Sequence, residues 1–266
     1  MQTIGLIAGN GTYPIVFAKA AKKAGVRIIA VGIKEETNPE LIGHVEKIFW
    51  ISVGQLKKLI EILKIEKIEK VVMAGQIKHK LLFSDIILDS ELRGLLFKLK
   101  DKKTDTILGG IAQRLAELGI ELIDSTTFIK DCLPDPGVLT KAKPTKEQLE
   151  DVEFGLKIAK AIAGLDIGQT VVVKDKVVLS IEAIEGTDAA IARANLYCNG
   201  GAVVVKVSKP DQDMRFDIPL VDKQTIQTLI KESVSLLAVE SGKTLFLDQE
   251  YVLEQADEHG IVIVAI

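Results

Sequence analysis

"TIGLIAGNGTYPIVFAKAAKKAG" (residues 3–25) begins as a run apolar at almost every position, passes through a glycine turn, and continues with apolar residues at helical spacing. The first part suits a strand covered on both faces, and the last part suits a helix with one buried stripe. Glycines at 9 and 11 supply the turn between them. Strand, turn and helix in that order open a doubly wound α/β sheet.

The pattern repeats along the first half. "VRIIAVGI" (26–33) and "KIFWIS" (47–52) read as buried strands. The amphipathic "QLKKLIEILKIEK" (55–67) then precedes the strand "KVVMAGQI" (70–77). "DTILGGIAQRLAELG" (105–119) adds a helix and "IELID" (120–124) a strand. Residues 1–133 are therefore expected to form a Rossmann-like parallel-sheet domain. "LPDPGVLTKAKPTKEQ" gathers prolines and charges, which places a Pro-rich linker at 134–148. Residues 149–266 are expected to form a second α/β domain with a mixed sheet. Its elements are a long helix, a hairpin around Lys174–Lys176, a helix opening at "EGTDA", the strand "AVVVKVS", and paired strands around Gly242 ahead of a last helix and strand.

Composition excludes several classes. The 266 residues carry a net charge of -3, without the basic footprint that a phosphate backbone requires, so no nucleic-acid partner is expected. Cys132 and Cys198 lie in no CxxC or Cys/His ladder, and the three histidines show no metal-binding spacing. No apolar run is long enough to span a bilayer and no leader-like segment opens the chain, so a cytoplasmic protein is expected.

Four stretches could carry chemistry. In "GNGTYP", Gly9, Asn10, Gly11 and Thr12 could bring backbone N–H groups to a phosphate at a helix start. Pro14 stands where a dinucleotide fingerprint has its third glycine, which disfavours NAD. Glu35 or Glu36 could meet a ribose hydroxyl, and a purely structural turn is the alternative. In "GQIKHK" (75–80), Gly75, Lys78 and His79 follow a strand and could meet a substrate phosphate. In "AIEGTDAAIARA" (183–194), Gly186, Thr187 and Asp188 stand at a helix mouth, where Thr187 is either a simple N-cap or part of a phosphate site. Nearby carboxylates would repel a phosphate unless a cation lay between them. "KPDQDMRFDIP" (209–219) alternates Asp213, Arg215 and Asp217, and an extended chain would aim all three to one side. Such a group suits a divalent cation and a phosphate, while a solvated loop with local Asp–Arg pairing is the alternative.

The chain resembles the UDP-2,3-diacylglucosamine pyrophosphatases of the LpxI type. The resemblance rests on "GLIAGNGTYP" (5–14), "VMAGQIKHK" (72–80), "SIEAIEGTDAAIARA" (180–194) and "KPDQDMRFDIPLV" (209–221), and covers essentially the full length. Asp222 stands where the family usually has a glycine. The resemblance implies hydrolysis of UDP-2,3-diacylglucosamine to UMP and 2,3-diacylglucosamine 1-phosphate for lipid A synthesis, dependent on Mg²⁺ or Mn²⁺, with substrate held between two domains. On this expectation Asp217, Asp213 and Glu185 hold the metal, with Asp188 the alternative to Glu185, and Arg215 meets the bridging oxygens. Gly9–Thr12, Gly75, Lys78, His79 and Gly186–Asp188 face the substrate. The substrate is a small amphiphilic nucleotide-sugar lipid, so transient contact with the inner face of the cytoplasmic membrane is expected, and homo-oligomerisation stays open. An NAD-dependent oxidoreductase and a non-catalytic nucleotide-binding module are the competing classes.

Overall fold

The computed structural model describes residues 2–34, 36–77, 87–101 and 103–266. The chain divides into two compact units, Met1–Lys130 with Asp213–Asp217, and Asp131–Gln212 with Ile218–Ile266.

The first unit holds strands β1 (Thr3–Ala8), β2 (Arg27–Ile33), β3 (Lys47–Ile51), β4 (Lys70–Ala74) and β5 (Glu121–Leu122). They form one sheet in the order β3-β2-β1-β4-β5, and every pairing is parallel. Helices α1 (Tyr13–Lys23), α2 (Leu56–Ile65), α3 (Ser90–Lys98) and α4 (Thr104–Glu117) accompany the sheet. Strand order reverses between β1 and β4, so the turns after those strands open the crevice where doubly wound sheets take ligands. Leu6 and Val72 are fully buried in the two strands, as the unbroken apolar runs predict. Leu59 and Leu63, one turn apart on α2, join the same apolar core as Leu115 on α4.

The second unit holds β6 (Gly137–Val138), α5 (Lys146–Gly164), β7 (Thr170–Lys174), β8 (Val177–Ile181), α6 (Thr187–Asn195) and β9 (Val203–Lys206). β10 (Leu220–Val221), α7 (Lys223–Lys231), β11 (Leu236–Val239), β12 (Leu245–Phe246), α8 (Gln249–Glu258) and β13 (Val262–Ala265) complete it. Its sheet order is β6-β13-β11-β9-β7-β8, with β9, β11 and β13 parallel and the remaining pairings antiparallel. This is the expected mixed sheet. The odd valines of β9 pack in the cluster that includes Val152, Ala159 and Ile162 of α5, and Val204 packs in the cluster of α6 and α7. Period-two alternation thus serves two buried faces at once. The β7–β8 hairpin turns through Asp175 and Lys176, both at positive φ. The buried Asp151 carboxylate accepts from both of their amides, which offsets the cost of two left-handed non-glycine residues.

Two expectations are revised. The stretch expected as a linker belongs to the second unit: Gly137–Val138 pair with β13, and the buried Thr140 hydroxyl accepts from the Ile263 amide at 3.0 Å. The strands around Gly242 are not a hairpin, because β11 lies between β9 and β13 while β12 pairs with β10.

Candidate functional site

The turn after β1 and the turn after β4 meet backbone to backbone. Gly9 N donates to Ala74 O at 2.8 Å, and Asn10 N donates to Gln76 O at 2.7 Å. A Cβ on Gly75 would stand 2.5 Å from the Asn10 carbonyl oxygen, and one on Gly9 would stand 2.7 Å from that of Gln76. Close approach alone therefore requires glycine at both positions. Gly11 is different: its φ is +89° and a Cβ there would meet nothing within 4 Å. The next residue, Thr12, is the N-cap of α1 without a side-chain capping bond, and both are exposed. The outer half of the turn is thus the part that can receive an anion. Glu36 is buried and its carboxylate accepts from the Asn10 side chain at 2.8 Å, so it braces the turn and its role as a ribose ligand is withdrawn. Glu35, Lys78 and His79 lie outside the described residues.

Residues 213–217 belong to the same compact unit although the chain on both sides belongs to the other. The segment is a turn over 214–216, closed by Phe216 N donating to Asp213 O at 3.2 Å, so the expected extended alternation is absent. Instead the Arg215 guanidinium grips Asp213 in a fork, with Nε 2.9 and 3.0 Å from the two carboxylate oxygens and Nη2 2.6 Å from Oδ2. That grip holds the Asp213 carboxyl below its ordinary range and raises Arg215. Phe216 is 6% exposed and joins the apolar core that includes residues of α2 and α4. The Met214 carbonyl takes two hydrogen bonds from Ser125, which follows β5. Asp217 comes next, at φ +54°. Burying a phenylalanine contributes about 2–3 kcal/mol. Ordering these residues costs at least about 1 kcal/mol each, so the hydrogen bonds are needed to hold the segment. Earlier in the chain, in the second unit, Ser208 N and Oγ both donate to Glu240, whose carboxyl is lowered to about 2 despite burial by bonds from Lys160, Ser208 and Lys243.

In the second unit, Gly186 and not Thr187 is the N-cap of α6, at φ +87°. The Thr187 hydroxyl is consequently released from capping. It donates to Glu182 Oε1 at 3.0 Å and accepts from Lys206 Nζ at 2.7 Å. Lys206 is only 8% exposed. The Asp188 carboxyl is pushed up by burial and by Asp222, against the pull of Lys206 and bonds to Gln224 and Thr228. Asp222 also accepts from Thr225 N at 3.0 Å as the N-cap of α7, which gives the aspartate at this position a structural use. Sequence reading missed Lys206 and Ser125. Their only signals are a lysine closing a valine run and a serine at a strand exit.

Two of the expected metal ligands already have cationic partners: Asp213 is held by Arg215, and Glu185 pairs with Arg193. Among the described residues, no group of three or more His, Cys, Asp or Glu side chains could hold a metal ion.

The LpxI N-terminal domain model matches residues 3–132 and the LpxI C-terminal domain model matches residues 135–264. The chain is similar to the UDP-2,3-diacylglucosamine pyrophosphatase LpxI of Caulobacter vibrioides, at 29% identity over 279 residues, covering 100% of this chain and 98% of that protein. Among solved structures, it matches the ADP complex of N5-carboxyaminoimidazole ribonucleotide synthetase at TM-score 0.30 and 18% identity, over 72% of this chain and 34% of that one. It also matches a biotin carboxylase domain of a thermophilic 2-oxoglutarate carboxylase at TM-score 0.30 and 12% identity, over 65% of this chain and 35% of that one. The chain spans about a third of the length of these solved structures, and a likeness at that level carries no argument about it. The two domain matches together cover nearly the whole chain, N-terminal domain first, and on that coverage the chain belongs to the LpxI family.

Proposed function

We propose that this protein hydrolyses the pyrophosphate bond of UDP-2,3-diacylglucosamine to UMP and 2,3-diacylglucosamine 1-phosphate, a step of lipid A biosynthesis. The observation that carries this reading is the end-to-end similarity to a pyrophosphatase of that name, with both LpxI domains present in order. The structure lends support at one place: the Asp217-bearing turn belongs to the unit whose crevice opens at Gly11 and Thr12.

In this reading the exposed half of the glycine turn orients a phosphate through backbone N–H groups at the start of α1. Asp217 supplies the carboxylate at the reacting phosphorus, where it orients the attacking water. Arg215 is already paired with Asp213, so its part is to keep that turn in shape and to lend positive charge beside the phosphate. Thr187 and Asp188, with Gly186 at the helix start, are proposed to meet the substrate's polar parts. A cation suits this site only if it arrives on the pyrophosphate, since Mg²⁺ keeps several waters and binds through substrate phosphates with one or two carboxylates. When bound there, Mg²⁺ or Mn²⁺ would neutralise charge on the phosphoryl oxygens. The purified protein, incubated with the substrate, should release UMP with added Mg²⁺ and cease when a chelator is present. Binding of UDP-sugar without UMP release under both conditions would instead favour a non-catalytic nucleotide-binding module.

Two acyl chains on the substrate favour contact with the cytoplasmic membrane surface. No helix among the described residues is long and apolar enough to cross a membrane. Helix α3 buries none of its residues, and Phe97 on it is 92% exposed, beside the exposed Arg93 and Lys98. An aromatic among cations suits an anionic headgroup layer. The protein should therefore sediment with anionic vesicles carrying the substrate, and absence from the pellet would count against membrane contact.

A further inference from the structure

We infer that Ser125 is a positioning residue for the hydrolysis, fixing the Asp217-bearing turn through the carbonyl oxygen of Met214. This rests on the reading of Asp217 as the carboxylate at the reacting phosphorus. Ser125 is 1% exposed. Its amide donates to Met214 O at 3.0 Å and its hydroxyl donates to the same oxygen at 2.9 Å. Its own carbonyl accepts from the Tyr13 hydroxyl at 2.8 Å, and Tyr13 is the buried first residue of α1, immediately after the glycine turn. A continuous set of hydrogen bonds thus runs from the start of α1 through the exit of β5 to the residue three before Asp217.

The hydroxyl is the informative atom. A buried hydroxyl costs free energy unless it is bonded, and one amide already satisfies the Met214 carbonyl for folding purposes. Two donors from one residue fix that carbonyl in direction as well as in distance. Phe216 anchors the turn by burial, which is non-directional, so it resists withdrawal of the segment but not its rotation. Orientation is what a carboxylate at a reacting centre needs, and a displacement of about 1 Å there can cost on the order of 100-fold in rate. Thr126 and Thr127 add to the rigidity of the exit: Thr126 N and Oγ1 donate to Asp124 Oδ1 at 2.7 and 2.6 Å, and Thr127 Oγ1 donates to the Asp124 carbonyl.

The test uses the full chain and the UMP-release assay. Ser125→Ala should lower kcat by about 10- to 30-fold while KM stays within about twofold, because substrate contacts are untouched and only the geometry of the reacting step is loosened. Tyr13→Phe, one bond further away, should show the same pattern at about 3- to 5-fold. Ser125→Cys retains a weak donor of similar size and should recover part of the lost kcat. If Ser125→Ala keeps a kcat within twofold of the parent while Asp217→Asn is inactive, the positioning role is overturned and the site reading stands. A loss carried by KM instead, or a Ser125→Cys variant no faster than Ser125→Ala, also overturns it. If Asp217→Asn itself turns over at the parent rate, the site reading falls and this role falls with it.

Discussion

Replacing Asp217 with asparagine should lower UMP release by about a thousand-fold or more, with the unfolding free energy within about 1 kcal/mol of the parent. Asparagine is the informative substitution because Asp217 sits at φ +54°, a left-handed conformation that asparagine and aspartate tolerate better than other residues with side chains. The variant therefore keeps the backbone conformation and removes the charge. Positive φ alone does not mark the site, since Asp166, Asp175 and Asp248 share it in ordinary turns. Asp213→Asn should be much milder, about tenfold, because the Arg215 fork already neutralises that carboxylate. The pair of variants tests the expectation that Asp217 matters more than Asp213. Parent-like turnover by Asp217→Asn in saturating Mg²⁺ would remove the site from this turn.

Why the fold was readable from sequence and the site only in part can be traced to particular residues. Strands β1, β2 and β4 are apolar on both faces and bounded by glycine or charge, so periodicity identifies them without help from tertiary contacts. β6 has two residues and lies among prolines, and its pairing with β13 depends on a partner more than a hundred positions away. No local signal distinguishes such an edge strand from a linker. The segment 213–217 failed for a related reason. Its contacts with the first unit include a buried phenylalanine and a backbone carbonyl, set in a run otherwise dominated by charge. The eye follows the charges, and the alternation of Asp213, Arg215 and Asp217 suggested an extended chain. Two residues apart, however, an arginine can fold back onto an aspartate, and that local pairing won.

The glycine turn shows a different limit. Sequence identified Gly9 and Gly11 as places where backbone comes close to something, and Gly75 as a candidate substrate contact. It could not say whether that something is a ligand or another turn. The structure divides them, because Gly9 and Gly75 approach each other's loops while Gly11 faces open space. Thr187 divides the other way: its reading as an N-cap is displaced by Gly186, which leaves its hydroxyl for Glu182 and Lys206.

Lys206→Met should cost about 3 kcal/mol of stability at pH 7, and the cost should shrink on acidification. Methionine fills nearly the same volume, so little of the loss comes from a cavity. What disappears is a buried cation beside Asp188, whose carboxyl is already pushed up by burial and by Asp222. A carboxyl raised in the folded state penalises folding wherever it must ionise, that is, above its folded pKa. As pH falls through that value toward the ordinary 3.8, protonation relieves the penalty. Without Lys206 the carboxyl rises further, so the difference between variant and parent is fullest at neutral pH and diminishes as the medium becomes acidic. A series of urea unfolding curves from neutral pH down toward 3.8 reads this directly. A deficit that stays constant across the series would mean that Lys206 acts through packing alone and that its charge is not what Asp188 responds to. Thr187→Val removes the hydroxyl that accepts from Lys206 while leaving the ammonium in place, and so should reproduce only a small part of the pH dependence. That contrast separates the charge from the hydrogen bond, which is the distinction on which a polar role for the start of α6 depends.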